Sequence, residues 1–425
     1  MVHFDNLKGW LSWQEKSHPL TIDLGLERVE KVYKALIPTG NKLPITITVA
    51  GTNGKGSCIA YLEAIYRAQG YRVGAYTSPH ILKYNERIKV DGKPVADDLI
   101  CNAFERIETV RDHTSLSYFE FGTLAALDIF SRADLDIQLL EVGLGGRLDA
   151  VNIVESDAAI ISSIGIDHVA WLGETREEIG FEKAGIFRAF VPAIVGDPLP
   201  PKALQQVAED KQAVFYAIGK DFDYSKQDKG WRWYAGTKEI NDLPEPALKG
   251  EHQYRNASAV IMAIKLLADK LPVGEQAIRQ GLENVQLPGR FQLLDGTIPV
   301  LLDVGHNPEA VQTLVEYLHQ NFPNRRIHAI FSMMKDKDIA EVLRIMNPVV
   351  HDWFFAPLSN LRAATESLMR GIFYHQAMDN VSFGYTGFAD AFAAAKQQAG
   401  AGDLLLVFGS FFLVSDCLAE FQKGR

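Results

Sequence analysis

The chain has 425 residues, of which 47% are hydrophobic and 23% are charged, and its net charge at pH 7 is −10. This composition is typical of a globular protein with two or three domains, and the acidic charge argues against non-specific binding to nucleic acid or to an anionic membrane. The three cysteines are far apart and form no C-x-x-C motif, which favours a reduced, cytoplasmic protein over a disulfide-bonded one.

The amino-terminal segment is predicted to be helical. Its first residues show no basic stretch followed by an apolar core, so we expect no signal peptide. No apolar run in the chain reaches the roughly 18 residues of a membrane span, and we expect no membrane partner. Residues 7–37 are predicted as helical pieces interrupted at His18 and Pro19. Gly25 is interpreted as a second break in this helical pattern. The alternative is that the glycine lets a ligand approach the backbone.

A glycine-rich loop follows the first predicted strand. The β-branched run from Ile45 to Val49 leads into this loop, and a helical pattern over 58–69 follows it. Strand, glycine loop and helix in this order turn backbone N–H groups and a helix N-terminus toward a phosphate. Lys55 would then contact the outer phosphates, and Ser57 would offer its hydroxyl to Mg²⁺. The spacing differs from G-x-x-x-x-G-K-[ST], so a simple glycine turn is the alternative. The loop consists of Gly51, Thr52, Asn53, Gly54, Lys55, Gly56 and Ser57.

Polar residues lie at the ends of three further predicted strands. Ser78, Glu141 and His168 each end or follow such a strand, at 71–76, 136–143 and 157–164 respectively. Ligands of parallel α/β sheets gather at the carboxyl ends of strands. We therefore predict that the three side chains form a Mg²⁺ site. The alternatives are a surface glutamate and a structural histidine.

The remaining elements continue an α/β pattern up to a break in the chain. Asn85 to Val90 is predicted as a hairpin arm, and 191–245 has a weaker pattern with one β arm at 231–234. The Asp295-Gly296 turn places the predicted domain boundary near 295. Helices are predicted over 96–112, 118–130, 174–188 and 250–268. The third of these contains Lys183, for which a solvated lysine is the simpler interpretation.

A second α/β alternation occupies the last part of the chain. Strands are predicted at 300–303, 327–332, 352–356 and 404–408. Because helices separate them, they predict a second, smaller parallel sheet. No G-x-G-x-x-G follows the first of these strands, so nicotinamide binding has no support. The predicted fold is α/β, with a phosphate-loop domain and mostly parallel sheet over 1–295 and a Rossmann-like domain over 296–425.

The motifs resemble, in order, those of the folylpolyglutamate synthase/dihydrofolate synthase family, within the Mur ligase superfamily of ATP-dependent amide-forming enzymes. The resemblance covers nearly the whole chain. Its departures are small, with Val151 where threonine is common and Gly305 where alanine is common. The matching motifs are the loop 51–57, Thr77-Ser78-Pro79-His80, 141–149, Asp167-His168, 182–186, His252-Gln253 with Asn256, Pro288-Gly289-Arg290, and Asp303 with His306-Asn307-Pro308.

The resemblance implies a role for each matching residue. Lys55, Lys183 and His168 would be catalytic, with Lys183 carbamylated. Two Mg²⁺ ions would be held by Ser78, Glu141 and His168. ATP would be bound by Thr52, Asn53, Gly54, Lys55, Gly56, Ser57, Asn256, Arg290 and Asp303. Dihydropteroate would be bound by Ile22, Asp23, Leu24, Gly25, Ser117, Tyr118, Phe119, Glu120, Leu148, Asp149 and Ala150. For Gly25, the resemblance favours a ligand contact over a mere helix break.

The resemblance also implies an activity. A bifunctional member would use ATP to join L-glutamate to dihydropteroate and to the γ-carboxylate of reduced folates, through an acyl phosphate. We expect only small-molecule partners, no nucleic acid, and a monomer, with His306 and Ser410 as candidates for contacts with the incoming glutamate.

Three alternatives stay open at this point. One is a purely polyglutamylating enzyme. Another is a cell-wall Mur ligase, which the lack of a separate domain before the phosphate loop disfavours. The third is a phosphate-loop switch or motor ATPase, which would hydrolyse ATP without glutamate and would leave Asp303 and His306 unexplained.

Overall fold

The computed structural model describes residues 3–20, 22–37 and 44–423, and these residues divide into two compact units. The first unit comprises the described residues up to Gly165, Trp171–Ala247 and Tyr254–Gln286. The second comprises Ile166–Ala170, Leu248–Gln253 and the described residues from Leu287 onward. Two short segments that precede Leu287 thus belong to the second unit, a feature that the sequence pattern does not indicate.

The helices and strands alternate along most of the described chain. The helices are α1 Leu7–Ser17, α2 Glu27–Leu36, α3 Lys55–Gln69, α4 Asp97–Val110, α5 Tyr118–Ser131, α6 Val169–Leu172, α7 Arg176–Lys183, α8 Lys202–Asp210, α9 His252–Leu266, α10 Glu275–Asn284, α11 Pro308–Asn321, α12 Ile339–Met346, α13 Glu366–His375, α14 Phe388–Gln398 and α15 Phe411–Lys423. The strands are β1 Ile45–Ala50, β2 Val73–Tyr76, β3 Ile88–Val90, β4 Lys93–Pro94, β5 Ile137–Glu141, β6 Ala158–Ile161, β7 Pro192–Val195, β8 Val214–Ala217, β9 Asp223–Lys226, β10 Trp231–Ala235, β11 Lys238–Leu243, β12 Gln292–Leu294, β13 Val300–Asp303, β14 Ile327–Phe331, β15 Asp352–Phe355, β16 Val381–Ser382 and β17 Leu404–Phe408.

The first unit is built on a large, mostly parallel sheet. Its strand order is β4-β3-β2-β5-β1-β6-β7-β8, and only the edge pairs β4-β3 and β3-β2 are antiparallel. β1 is central, with Val49 paired to Glu141 on one side and to Ile160 on the other. Its side chains from Thr46 onward are buried, as expected for a β-branched strand covered on both faces. The carboxyl ends of β1, β5 and β6 therefore lie side by side.

A smaller sheet in the first unit is antiparallel, with the order β11-β10-β9. Its central strand carries Trp231 and Trp233 inward, and both indoles are fully buried. The Trp233 Nε1–H donates to the Ser258 carbonyl of α9 at 3.2 Å, which anchors this sheet to the unit. The β arm predicted at 231–234 is confirmed as β10.

The second unit holds a six-stranded sheet with the order β12-β13-β17-β14-β15-β16. All neighbouring pairs are parallel except the antiparallel edge pair β12-β13. Apolar side chains of α11, α12 and α13 pack on this sheet in one core that includes Leu314, Leu343 and Phe373. The prediction of two α/β units, the first with a mostly parallel sheet and the second smaller, is confirmed.

Two local predictions were wrong. The helix predicted over 174–188 ends at Lys183 and is followed by a 3₁₀ turn, Ala184–Ile186. The Glu182 carbonyl accepts a hydrogen bond from the Arg147 N–H at 2.8 Å, so a neighbouring loop contacts the chain where the helix stops. The hairpin arm predicted over 85–90 begins with a 3₁₀ turn, Tyr84–Arg87, before β3.

Candidate functional site

The loop between β1 and α3 has a backbone that requires glycine at two positions. Gly51 has φ of 147° and Gly54 has φ of 87°, both in the region that favours glycine. A Cβ at Gly51 would lie 2.0 Å from the Ser162 Oγ, and one at Gly54 would lie 2.7 Å from the Asn256 Oδ1. The loop therefore turns tightly against the end of β6 and against α9, which excludes the interpretation of an unconstrained glycine turn.

Hydrogen bonds fix the rest of this loop to the chain after β6. The Thr52 N–H donates to the Ser163 carbonyl at 2.8 Å, and the Thr52 hydroxyl contacts both backbone groups of Gly165, at 2.9 and 3.0 Å. The Asn53 N–H donates to the Ser163 Oγ at 3.2 Å. α3 begins at Lys55, and its N-cap Gly54 supplies no side-chain cap. A rigid loop thus presents the N-terminus of a long helix, the arrangement that binds phosphate.

Two lysines converge on this loop from different elements. The Lys55 Nζ donates to the Gly51 carbonyl at 3.0 Å and to the Thr52 carbonyl at 3.2 Å. The Lys183 Nζ, from the end of α7, donates to the same Gly51 carbonyl at 3.0 Å. Lys183 is only 5% exposed, so it is not the solvated lysine that its helix pattern suggested. The pair places positive charge beside a phosphate-type loop.

Ser78 and Glu141 meet at the ends of neighbouring strands. Glu141 is the last residue of β5 and is 5% exposed. Its Oε2 accepts a hydrogen bond from the Ser78 backbone N–H at 3.1 Å. The surface-glutamate alternative is therefore wrong, and two of the three predicted metal ligands lie together. His168 belongs to the second unit, and its participation in this site stays a prediction.

Three separated segments that are predicted to bind dihydropteroate contact one another in the first unit. The Gly25 N–H donates to the Leu148 carbonyl at 3.3 Å. Arg28, in the first turn of α2, links segment 22–25 to segment 117–120, because its guanidinium contacts the Asp23 carboxylate at 2.9 Å and the Glu120 carboxylate at 3.1 Å. The structure thus brings 22–25, 117–120 and 148–150 together. That they bind substrate stays a prediction.

Asp149 organises the glycine loop that follows β5. Its buried carboxylate accepts hydrogen bonds from the Leu144 N–H at 2.8 Å and from the Val151 N–H at 3.0 Å. Burial raises the pKa of Asp149 to about 6. The hydrogen bonds from these N–H groups lower the pKa, but their effect is smaller than that of burial. The folded protein therefore binds a proton here at pH values where the unfolded chain has already released it.

This shift predicts a measurable pH dependence of stability. Because the pKa of Asp149 is higher in the folded state, its contribution to the free energy of unfolding falls as pH rises from 4 to 7. We expect the stability of the wild-type chain relative to Asp149→Asn to fall by on the order of 3 kcal/mol over this range. Urea unfolding at a series of pH values measures it. As a control, Asp295→Asn changes an exposed turn and should have the same free energy of unfolding as the wild type at each pH. If the difference in free energy of unfolding between the wild type and Asp149→Asn does not change with pH, the assignment is contradicted.

A charged cluster surrounds His168 in the second unit. Asp167 contacts the Lys337 Nζ at 2.7 Å and the His306 Nε2 at 3.7 Å, and the Asn307 amide donates to it at 3.4 Å. Burial alone would raise the pKa of Asp167, but Lys337 and the two neighbouring histidines hold it well below its ordinary value. Asp167 is thus an anion that fixes the segment carrying His168, a role that the sequence did not indicate.

Arg290 and Asp303 also lie together in the second unit. The Asp303 carboxylate accepts from the Gly305 N–H at 2.7 Å and from the Phe291 N–H at 3.2 Å. Burial raises the pKa of Asp303 to about 6, and the charge of nearby Arg290 opposes this rise. The Arg290 guanidinium lies over the Phe411 ring, 5.1 Å from its centroid. Asn256, the third predicted ATP contact outside the loop, packs against Gly54 in the first unit.

Two further features concern metal ligands and membrane-spanning helices. Within residues 3–20, 22–37 and 44–423, no group of three histidine, cysteine, aspartate or glutamate side chains is placed to hold a metal ion. The predicted metal set contains two such residues and a serine, so this finding does not test it. None of the helices in the same ranges has the length and apolarity needed to cross a membrane.

Family comparisons cover both units. The Mur ligase middle domain matches residues 49–264, and the Mur ligase glutamate ligase domain matches residues 289–411. The dihydrofolate synthase/folylpolyglutamate synthase of Escherichia coli (strain K12) is 43% identical over 420 residues, which are 99% of this chain and 96% of that relative. The chain is therefore similar to such enzymes over nearly its full length.

Solved structures agree with this similarity. E. coli FolC in complex with DHPP and ADP superimposes with a TM-score of 0.93 at 42% identity and covers 100% of both chains. A bifunctional folylpolyglutamate synthase/dihydrofolate synthase with Mn, AMPPNP and L-glutamate bound has a TM-score of 0.89 at 40% identity and covers 98% of each chain. On this identity and coverage, the chain belongs to the dihydrofolate synthase/folylpolyglutamate synthase family of Mur ligases, and it is an ATP-dependent ligase.

Proposed function

We propose that this ligase joins L-glutamate to dihydropteroate and to the terminal γ-carboxylate of reduced folates, with ATP as the activating substrate. The observation that carries the proposal is the convergence of Lys55 and Lys183 on the Gly51 carbonyl of a phosphate-type loop. The Ser78 and Glu141 contact at adjacent strand ends supports it. The joined segments around Gly25, Glu120 and Leu148 supply a place for the acid that is activated.

The proposed reaction has two steps. A carboxylate resists attack by an amine because its negative charge and resonance make the carbon a poor electrophile. The carboxylate oxygen of the acceptor first attacks the γ-phosphorus of ATP, which forms an acyl phosphate and releases ADP. The amino group of L-glutamate then attacks the acyl carbon, and the tetrahedral intermediate expels phosphate with the oxygen that came from the acid. Positioning and charge neutralisation are the main tasks of the protein in such a reaction.

We assign the phosphate contacts to the loop and the first turn of α3. Thr52 through Ser57 would cradle the phosphates with backbone N–H groups, and the Lys55 ammonium would neutralise the phosphoryl oxygens. Asn256, Arg290 and Asp303 are assigned to further contacts with ATP. These assignments rest on the family motifs and on the rigid loop geometry described above.

Lys183 is proposed to be carbamylated. Carbamylation adds carbon dioxide to the neutral amine and converts a cation into an anion. Its Nζ and the Lys55 Nζ lie at the same distance from one oxygen, so replacing one of the two positive charges would relieve repulsion between them. Carbamylation of Lys183 would also remove an ammonium charge from a side chain that is only 5% exposed.

Two Mg²⁺ ions are proposed, with Ser78, Glu141 and His168 as protein ligands. The donors fit the ion, because a buried carboxylate and a hydroxyl supply the hard oxygen atoms that Mg²⁺ prefers. A bound ion would neutralise charge on the transferring phosphoryl group. The remaining coordination positions would be left to substrate phosphates and water, as is usual for Mg²⁺ in phosphoryl-transfer sites.

Coupled release of ADP tests the proposed activity. We expect release with dihydropteroate and with tetrahydrofolate, in each case only when L-glutamate is present. Activity with tetrahydrofolate alone would identify a purely polyglutamylating enzyme. ADP release that needs neither acceptor nor glutamate would instead indicate an ATPase of the switch or motor class and would overturn the proposal.

A further inference from the structure

Arg87 is a half-buried arginine that no assignment above uses. It is the last residue of the 3₁₀ turn, directly before β3, and its carbonyl accepts from the Thr77 N–H at 2.9 Å. This hydrogen bond fixes it beside the strand end that carries Ser78. The Tyr118 ring, in one of the segments predicted for the pterin side, lies 5.6 Å from its guanidinium. Arg87 thus stands between a predicted metal ligand and the predicted acceptor pocket.

The guanidinium of Arg87 is fixed without a carboxylate partner. Its Nε donates to the His80 Nδ1 at 2.9 Å, and it lies over the Tyr84 ring at 5.5 Å as well as over Tyr118. Within the described ranges, no aspartate or glutamate forms an ion pair with it, and its two terminal nitrogens donate no side-chain or backbone hydrogen bond. Two aromatic rings and one histidine therefore fix its plane while its forked end stays available.

Arg111, in the same unit, lies over aromatic rings as Arg87 does but has a carboxylate partner. Arg111 also lies over two rings, those of Trp13 and Phe121, at 5.6 and 5.8 Å. Its guanidinium, however, is neutralised by the Glu108 carboxylate in a two-point contact at 2.5 and 3.1 Å. A buried or half-buried cation normally has such a partner, because its desolvation is costly. Arg87 lacks the anion that Arg111 has.

We propose that Arg87 binds the reacting carboxylate of the acceptor, the p-aminobenzoate carboxylate of dihydropteroate or the γ-carboxylate of a folate. The planar fork of a guanidinium matches a carboxylate in a bidentate contact, and its fixed plane reduces the entropy lost on binding. An arginine at this position would hold the acid between the pterin pocket and the phosphate loop. The inference rests on the proposed function and adds the residue that recognises the group to be activated.

The test compares binding of an acid with binding of its neutral analogue. Affinities for 7,8-dihydropteroate and for its primary carboxamide are measured by calorimetry on the full chain, without nucleotide. We expect the wild type to bind the acid about 10- to 100-fold more tightly than the amide, as for loss of a hydrogen-bonded charge pair. Arg87→Gln should lose this preference while binding the amide as the wild type does, and Arg87→Lys should keep part of it.

The controls separate the possible failures. Arg111→Lys, with its circular dichroism and thermal unfolding checked alongside, should retain the full preference for the acid. A preference that survives in folded Arg87→Gln overturns the inference. The inference is also overturned if Arg87→Gln raises the KM for L-glutamate and leaves the preference for the acid unchanged. That result would assign Arg87 to binding the incoming amino acid. If the wild type binds neither compound and forms no product, the proposed function fails instead.

Discussion

We expect Lys55→Ala to lower kcat/KM for ligation by on the order of 10³-fold, the loss expected when a preorganised charge on a transferring group is removed. The Lys55 Nζ donates to the Gly51 and Thr52 carbonyls, so the side chain is already fixed in the loop before ATP binds. The measurement is the rate of glutamate-dependent ADP release with dihydropteroate as acceptor.

The matched control for this substitution is Lys202→Ala. Lys202 is also the first residue of a helix, α8, but it is exposed and has no assigned role. It should retain wild-type activity. Lys55→Ala should stay folded, with a thermal midpoint only a few degrees lower, because the change removes two hydrogen bonds to carbonyls. Near-normal turnover by Lys55→Ala would remove the assignment of the phosphate loop.

The second large effect is expected for Lys183→Ala. This variant should lose activity by about 10²-fold or more, and added bicarbonate should not restore it, since no amine is left to carbamylate. In the wild type, carbon-13 bicarbonate should produce a carbamate resonance in the NMR spectrum, and the variant should lack it. A high-resolution density map should show the additional atoms on the Lys183 Nζ.

Lys211→Ala is the matched control for Lys183. The Lys211 Nζ also donates to backbone carbonyls, those of Gly185 at 2.8 Å and Phe187 at 3.2 Å, and burial lowers its pKa. Lys211→Ala should keep both the carbamate signal and the activity. A fully active enzyme with unmodified Lys183 would refute the proposed carbamylation, and an active Lys183→Ala would refute any catalytic role for this lysine.

Elements defined by local patterns were predictable from the sequence. The β-branched run before Gly51, the loop and the helix after it appear in the structure within a few residues of their predicted bounds. The same holds for β13 and β17, which match their predicted ranges. β7 and β8 were not predicted, and β7 begins with Pro192, which weakens a strand pattern.

Contacts between distant residues were not predictable from local patterns. Asp167 pairs with Lys337, 170 positions later in the chain, and no periodicity relates the two. The same applies to Arg28, which joins the segments around Asp23 and Glu120. The family resemblance, and not the local sequence pattern, predicted that segments 22–25, 117–120 and 148–150 belong to one site. Arg87 carried no signal at all, because its missing carboxylate partner is visible only in three dimensions.

The proposed mechanism requires that the acid is activated by phosphorylation. Single-turnover ligation with dihydropteroate whose carboxylate is labelled with oxygen-18 tests this directly. If an acyl phosphate forms, the bridging oxygen leaves with the phosphate, and each phosphate released should carry one oxygen-18 atom. Phosphate released without the label, while the amide product forms, would contradict the account.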